Sequence, residues 1–156
     1  MAEETAIAAV QQAGLEYAVT RHGRVGSLEE AAAARGVAPG DLIKTLVVRR
    51  AAQDFLLVLV PGGREISWPK LRALLGVNRL SMPDPQTAQQ VTGNERGTIT
   101  PFGSTHAWPV IADTHVAEPE RIISIGGGAH GVGLSVSATA ALAALDARVG
   151  DVTMPG

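Results

Sequence analysis

The stretch DLIKTLVVRRAAQDFLLVLVPGG, residues 41–63, decides the fold of this chain. It holds two runs rich in Val, Leu and Ile, residues 41–50 and 54–63, with a short turn between them. Two such runs at this separation predict an antiparallel β-hairpin. The second run is apolar almost throughout, so we expect its strand to be buried on both faces.

Lys44 interrupts the first run and alternation turns it to the face opposite Ile43. A lysine on a central strand is costly unless its ammonium reaches water, an acid or a ligand phosphate. Two interpretations follow from the residues alone. Lys44 is either an edge-strand lysine that extends into solvent or a fixed cation at the floor of a pocket.

Helix signals surround the hairpin in the form of capping residues and closing glycines. They predict five helices, at 2–13, 28–36, 67–76, 84–93 and 137–150, with Ser27, Ser67, Asp84 and Ser137 as N-caps. Further strands are expected at 16–19, 108–113, 121–127 and 133–137. Neither a repeat nor a linker divides residues 1–156, which indicates a single α+β domain.

Composition excludes several kinds of site. Cysteine is absent, which rules out disulfides, thiolate zinc sites and a cysteine nucleophile. The four histidines (His22, His106, His115 and His130) lack metal-ligand spacing, so we expect no metal. The chain also lacks a membrane-length apolar run and a basic signal-like start, so we expect a cytoplasmic protein with no membrane partner.

Charge is unevenly distributed along the chain. The net charge of −2 argues against strong non-specific binding to DNA or other nucleic acid. Residues 21–79, however, hold ten of the thirteen Lys and Arg against five acids, an excess of about +5. This segment is either a surface for an anionic partner or an ordinary solvated surface.

Two glycine-rich stretches are candidates for chemistry: TGNERGTITPFGSTH, residues 92–106, and SIGGGAHGVG, residues 124–133. Glycine lets a backbone approach a ligand closely and present its N–H groups. Neither stretch matches a dinucleotide or P-loop pattern, and no G-x-S-x-G is present, so we expect no cofactor and no serine nucleophile. His130 is either a base or hydrogen-bond donor, or an exposed turn histidine.

Taken in order, LIKTLVV, MPDPQTAQQVTGNERGTITPFG, PVIADTHV and SIGGGAHGVGLSV resemble the YbaK/prolyl-tRNA-editing-domain family over residues 15–150. The resemblance implies a single α+β domain around a mixed, strongly curved β-sheet. It also implies hydrolysis of the ester that joins a wrong amino acid to the 3′ end of a tRNA, most often tRNA for proline. The implied partners are tRNA and, as a possibility left open, an aminoacyl-tRNA synthetase.

The resemblance also carries residue roles. Lys44 would hold the terminal phosphate and ribose, and it would act in catalysis together with Gly103. His130 is a further catalytic candidate, whose role the resemblance does not dictate. The residues implied in substrate binding are Thr20, His22, Thr45, Thr100, Pro101, Phe102, Gly127, Gly128 and Gly131. Backbone N–H groups of the loops would stabilise the oxyanion of the ester under attack, so no side-chain nucleophile is needed.

The amino acid that such an enzyme removes is left open. The cysteine-specific branch of the family differs at Thr20, His130 and Gly133, and the alanine-specific branch has asparagine where this chain has Thr45. The candidates are Cys, Ala, Ser and Thr. Two other functions are compatible with the sequence: a non-catalytic module that binds aminoacyl-adenosine, tRNA 3′ ends or a synthetase, and a hydrolase of a different small acyl ester.

Overall fold

The computed structural model describes residues 2–156 of the chain. Within that range it has five α-helices, a single 3₁₀ turn at Pro39–Asp41, and nine strands. The helices are α1 (Ala2–Gln12), α2 (Leu28–Ala34), α3 (Trp68–Leu75), α4 (Pro85–Thr92) and α5 (Ala138–Ala144). The strands are β1 (Tyr17–Arg21), β2 (Ile43–Ala51), β3 (Asp54–Pro61), β4 (Arg64–Ile66), β5 (Val110–Asp113), β6 (Ile122–Gly126), β7 (Val132–Ser137), β8 (Arg148–Gly150) and β9 (Thr153–Pro155).

The predicted hairpin forms the centre of a mixed sheet. β2 pairs antiparallel with β3, and β3 continues through the parallel strands β5 and β8. A second, antiparallel sheet has the order β1-β7-β6, and β4 pairs with β9. The two larger sheets meet where Leu42 bridges Ser124. The predicted α+β class and mixed sheet are confirmed, whereas strong curvature stays a prediction.

Burial of β3 on both faces is also confirmed. Its odd-numbered side chains, such as Leu57 and Leu59, belong to a core cluster shared with α1, α5 and the antiparallel sheet. Its even-numbered side chains, such as Leu56 and Val58, belong to a second cluster under α3. One strand therefore joins the two halves of the core.

Three of the four predicted N-caps are formed by their side chains. The side chains of Ser27, Asp84 and Ser137 each accept a hydrogen bond from the backbone N–H three residues further on. Ser67 occupies the N-cap position of α3 but makes no such bond. It is buried instead, and its N–H donates to the Val152 carbonyl.

The last predicted helix was too long. α5 ends at Ala144, Asp146 adopts a positive φ of 50°, and the chain continues as β8 rather than as helix. The strands β4, β8 and β9 were not predicted, because three residues are too few to show a period of two. No helix in residues 2–156 has the length and apolarity needed to span a bilayer.

Candidate functional site

A cavity of about 490 Å³ opens along the free edge of β2, and we call it the lysine cavity. Its walls come from β2, from the segment that leads into α4, from the loop before β5 and from the end of β6. The wall residues used below are Arg35, Lys44, Thr45, Met82, Arg96 and Gly97. The volume lies in the range of small-molecule sites in proteins.

Lys44 stands at the rim of this cavity with an exposed side chain. Its Nζ donates to the Arg64 carbonyl oxygen over 3.1 Å. An ammonium has three N–H donors, so within residues 2–156 two of them remain for water or a ligand. Lys44 thus lies on an edge strand and lines a cavity at its rim, and its role as a fixed cation stays a prediction.

Thr45 supplies the cavity with a buried hydroxyl. The residue is 7% exposed, and in the described part of the chain its Oγ1 has no hydrogen-bond partner. A buried polar group without a partner costs free energy and is uncommon. Thr45 lines the lysine cavity, and a rotation of its side chain about χ1 would present this hydroxyl to a ligand there.

Arg35 adds a half-buried cation that follows α2. Its Nε donates to His22 Nε2 over 3.2 Å, and its NH1 contacts Ser124 Oγ at 3.4 Å. Burial lowers the pKa of the Arg35 guanidinium, which nevertheless remains charged. Gly133 makes room for it, since a Cβ at that position would lie 2.8 Å from Arg35 Cδ.

His22 is thereby linked to the cavity through Arg35. Its Nδ1 lies 2.9 Å from the Gly23 carbonyl while Nε2 accepts from Arg35, which fits the tautomer with the proton on Nδ1. The His22 N–H donates to the Gly131 carbonyl over 2.9 Å. The turn between β6 and β7, residues 127–131, which we call the glycine turn, is therefore hydrogen-bonded to the residue that follows β1.

His130 lies on the outside of the same turn. Its side chain is 68% exposed, and Nε2 lies 3.5 Å from Glu95 Oε1. A Cβ built on Gly97 would stand 3.6 Å from His130 Cε1, so His130 covers the loop that lines the cavity. It lies next to the lysine cavity rather than in its wall.

The other half of the 92–106 stretch faces elsewhere. Pro101, Phe102 and Gly103 line a separate cavity of about 310 Å³, together with Trp108 and residues of α1, and we call it the tryptophan cavity. Gly103 has a φ of +78°, and a Cβ there would lie 2.9 Å from the Thr5 carbonyl oxygen. These contacts hold the loop against α1.

The residues expected from the sequence are thus divided between several places. Lys44 and Thr45 line the lysine cavity, while His22 and His130 each connect to it through one neighbour, Arg35 and Gly97. Gly131 is bonded to His22 and so connects to the cavity only through His22 and Arg35. Thr100 is 1% exposed and its Oγ1 accepts from Phe102 N over 3.3 Å. The remaining residues, Thr20, Gly127 and Gly128, lie on β1 and in the glycine turn and are not among those that line the lysine cavity.

Sequence reasoning missed Arg35, Arg96 and Gly97 as wall residues. Arg96 and Gly97 lie inside the glycine-rich stretch 92–106. The sequence therefore identified the stretch that contains them, but not that these two residues face a cavity. Arg35 carries no motif, and only its membership of the basic segment pointed to it. In residues 2–156 no three His, Asp or Glu side chains come together as a metal site would require.

The sequence of this chain matches a known family profile and several known proteins. The sequence profile described as "Aminoacyl-tRNA editing domain" matches residues 22–144. The proline–tRNA ligase of Heliobacterium modesticaldum is 35% identical over 98 residues, which is 63% of this chain and 17% of the ligase. The chain therefore spans less than a fifth of that enzyme's length.

Two further proteins are similar over more of their own length. The multifunctional Ser/Thr-tRNA deacylase ProXp-y of Escherichia coli is 27% identical over 110 residues, 69% of this chain and 66% of that protein. A crystal structure of a candidate trans-editing enzyme for prolyl tRNA synthetase superposes with a TM-score of 0.86 at 23% identity, covering 98% and 97% of the two chains. The latter likeness establishes the fold, and the profile match over most of the chain establishes that this protein belongs to the aminoacyl-tRNA editing domain family.

Proposed function

We propose that this chain is an aminoacyl-tRNA deacylase that hydrolyses the ester between a wrongly attached small amino acid and the 3′ end of a tRNA, with tRNA for proline as the first expectation. One observation carries the proposal beyond family membership. Lys44, with two free N–H donors, and Thr45, with an unpartnered hydroxyl, are consecutive residues of β2 that both line one cavity, although their side chains leave opposite faces of the strand. A cation and a hydrogen-bonding group at a cavity suit a substrate with a phosphate and a small polar side chain.

The charges of the cavity suit the anionic end of a tRNA. Arg35, Lys44 and Arg96 line it, whereas no Asp or Glu of residues 2–156 does. Lysine binds phosphate as a point charge, which supports the role of Lys44 at the terminal phosphate and ribose. The cations would hold the substrate in place, and positioning of this kind accounts for a large part of many enzymatic rate accelerations.

Hydrolysis of such an ester requires few catalytic groups. Water adds to the ester carbonyl, the oxyanion forms and collapses, and the ribose hydroxyl leaves while the amino acid departs as a carboxylate. Arg96 and Gly97, which has a φ of +86°, are loop residues that line the cavity, and their backbone N–H groups are the candidate donors. We assign oxyanion stabilisation to this half of the loop, because Gly103 lines the tryptophan cavity instead.

Among the candidate amino acids we place serine and threonine first. A site that hydrogen-bonds a substrate hydroxyl discriminates strongly against analogues without it. The Thr45 hydroxyl is available for such a bond. The relative from Escherichia coli, 27% identical, carries Ser/Thr-tRNA deacylase in its name.

The test is single-turnover deacylation of tRNA for proline charged with Ser, Thr, Ala or Cys. Wild type is compared with Lys44→Ala, and Lys70→Ala serves as the matched control. Lys70 is the second lysine of the chain and is paired with Asp151, away from the lysine cavity. We expect Lys44→Ala to lose about 100-fold in kcat/KM on at least one ester, since phosphate positioning contributes on this scale.

The control should stay within about twofold of wild type, since Lys70→Ala removes an exposed ion pair and a hydrogen bond to the Thr153 carbonyl, both away from the lysine cavity. Equal losses of kcat/KM in Lys44→Ala and Lys70→Ala would show that Lys44 has no specific role. Survival of every ester, together with binding of tRNA ends, would leave the protein as a non-catalytic binding module. Cleavage of small acyl esters without preference for tRNA would indicate the other hydrolase function.

A synthetase partner and a cytoplasmic location stay predictions. The relatives that carry this domain inside a proline–tRNA ligase make prolyl-tRNA synthetase the first partner to try. Co-purification of the tagged chain with that enzyme, with and without tRNA, measures whether the two associate.

A further inference from the structure

A second concave surface lies at the far end of β2, and we call it the arginine groove. It has a volume of about 450 Å³ and is lined by Arg49, Arg50, Arg72 and Arg79 together with Asn78 and Ser81. These arginines belong to the basic segment 21–79, whose excess charge the lysine cavity accounts for only in part. Four guanidinium groups at one groove create a strongly positive local field.

Most of this charge is uncompensated. Arg50 forms two hydrogen bonds to Asp54, at 2.8 and 3.2 Å, and that pairing raises the pKa of Arg50. For the other three arginines, no carboxylate of residues 2–156 lies within ion-pair distance. Arg49 makes only contacts of 3.4 Å with backbone carbonyls of the hairpin turn. Its guanidinium is free to exchange these contacts for stronger ones.

Two segments of the chain connect the groove with the lysine cavity. Thr45 and Arg49 stand four residues apart on a regular stretch of β2, so they share a face at a separation of about 13 Å. Ser81 lies beside Arg49, and each of the two residues donates its backbone N–H to the carbonyl of the other. The next residue, Met82, is 52% exposed and lines the lysine cavity. One strand and one short segment therefore lead from one concavity to the other.

The spacing suits a nucleic-acid strand. At about 3.4 Å per stacked nucleotide, 13 Å corresponds to roughly four nucleotides. That is the length of the unpaired strand that carries the amino acid in a tRNA. Guanidinium groups bind phosphate oxygens in a planar, bidentate manner, and the exposed Met82 offers an apolar contact for a base between the two sites.

We propose that the arginine groove binds the phosphodiester backbone of the tRNA acceptor end, next to the unpaired strand whose 3′ terminus enters the lysine cavity. This proposal rests on the proposed function for its choice of RNA. The groove contributes affinity and the lysine cavity contributes chemistry. An acidic protein segment is the competing occupant, and the experiment below distinguishes it.

The direct measurement is fluorescence anisotropy with an uncharged, labelled RNA hairpin that ends in an unpaired 3′ strand. Wild type is compared with Arg72→Gln/Arg79→Gln, and Arg24→Gln/Arg148→Gln is the control because both of its arginines are exposed and lie outside the groove. We expect the groove variant to bind about tenfold more weakly at low salt and the control to change by less than twofold. The slope of log K against log salt should flatten by about 1.4 for two lost phosphate contacts.

Arg72→Lys/Arg79→Lys separates loss of charge from loss of structure. It keeps both positive charges but loses the bidentate geometry, so it should bind more tightly than the glutamine variant and more weakly than wild type. If it weakens binding as much as the glutamine variant does, the effect is not electrostatic and the proposal fails. It fails equally if polyglutamate displaces the hairpin as effectively as unlabelled hairpin does.

Hydrolysis of 3′-aminoacyl-adenosine keeps the two proposals distinguishable. This substrate lacks the backbone that the groove would bind, so the groove variant should cleave it at the wild-type rate. If wild type cleaves this substrate and the glutamine variant binds the hairpin as wild type does, the proposed RNA binding by the groove is wrong and the proposed deacylase activity is supported. If the hairpin binds through the groove in a salt-sensitive manner but no ester is cleaved, the proposed RNA binding is supported and the proposed deacylase activity is wrong.

Discussion

The lysine cavity and the tryptophan cavity share one loop and differ in almost every other respect. Gly97 and Gly103 belong to the same glycine-rich stretch, and both have positive φ angles. The first lines a cavity with three cationic side chains, Arg35, Lys44 and Arg96. The second lines a cavity whose wall, among residues 2–156, includes no Lys, Arg, Asp or Glu.

The polar groups around the two cavities also differ. In the lysine cavity Thr45 Oγ1 has no partner among the described residues, and Lys44 has donors to spare. Beside the tryptophan cavity, Trp108 Nε1 donates to the Val91 carbonyl over 2.7 Å and its ring packs edge-on against Phe55. Ser104 Oγ, at the tryptophan cavity, also has no partner among the described residues, so the cationic side chains distinguish the two cavities. We conclude that one half of the loop is arranged to meet an anionic ligand and the other half holds the loop against the core.

A matched pair of substitutions in the loop tests this division most strongly. Gly97→Ala places a methyl group at the lysine cavity with only an ordinary contact to His130. We expect about a tenfold loss of kcat/KM, because small displacements in an active-site loop are costly. The free energy of unfolding should fall by only about 1 kcal/mol, the strain of alanine at a positive φ.

Gly103→Ala should show the opposite ranking. Its Cβ would overlap the Thr5 carbonyl oxygen in addition to the strain, so we expect a loss of about 2–4 kcal/mol in stability. The rate per folded molecule should stay within about twofold, since the cavity that Gly103 lines is not the one assigned to chemistry. Urea unfolding and active-site-normalised kinetics measure the two quantities.

Gly14→Ala supplies the reference for backbone strain alone. Gly14 has a φ of +75°, and a Cβ at this position would have no neighbouring atom within 4 Å, so its variant reports the strain without a steric clash. If Gly103→Ala abolishes turnover while remaining folded, the role that the resemblance gives this residue is correct. The assignment of ligand binding to the lysine cavity and of loop anchoring to the tryptophan cavity would then be wrong.

Thr45→Val gives a smaller and more selective effect. The change keeps the volume of the side chain and removes the unpartnered hydroxyl, so we expect stability to rise by about 1 kcal/mol. Hydrolysis of Ser and Thr esters should fall about tenfold, and that of the Ala ester should not change. Single-turnover deacylation of the panel of charged tRNAs measures the hydrolysis rates, and a thermal unfolding curve measures the change in stability.

Thr92→Val is the matched control for this substitution. Thr92 is fully buried, and its Oγ1 donates to the Ala88 carbonyl over 2.7 Å. The substitution removes this bond and leaves the buried Asn94 N–H, which donates to Thr92 Oγ1 over 3.1 Å, without its partner, so stability should fall by about 2–3 kcal/mol without a change in the preference among esters. If Thr45→Val loses stability in the same way and cleaves all esters equally, its hydroxyl has no part in substrate recognition.

The fold could be predicted from the sequence to the extent that its signals are local. The hairpin of residues 41–63 and the caps at Ser27 and Asp84 depend on neighbours in the chain, and all three are confirmed. The boundary of α5 depends on where β8 pairs, at the edge of a sheet built from distant strands. Such pairing leaves no periodic pattern in three residues.

The candidate site could be predicted as a set of motifs but not as an arrangement. Lys44 and the glycine-rich stretch were identified, yet the two halves of that stretch face different cavities because α1 packs against Gly103. Arg35 reaches the cavity because Gly133, on a distant strand, leaves space for its side chain. Contacts between distant segments decide both features, and a single sequence does not display them.

His130 is the residue for which the sequence left two interpretations, and it provides the smallest of the expected effects. Its side chain and that of Glu95 are both mostly exposed, and exposed pairs of this kind contribute at most about 1 kcal/mol. We therefore expect His130→Ala to lower kcat/KM by about threefold or less, through the loop at Gly97. Glu95→Ala should give a similar loss, because it removes the same contact. A loss above tenfold in His130→Ala alone, with a changed pH profile of kcat, would make His130 a general base and would extend the lysine cavity to include the glycine turn.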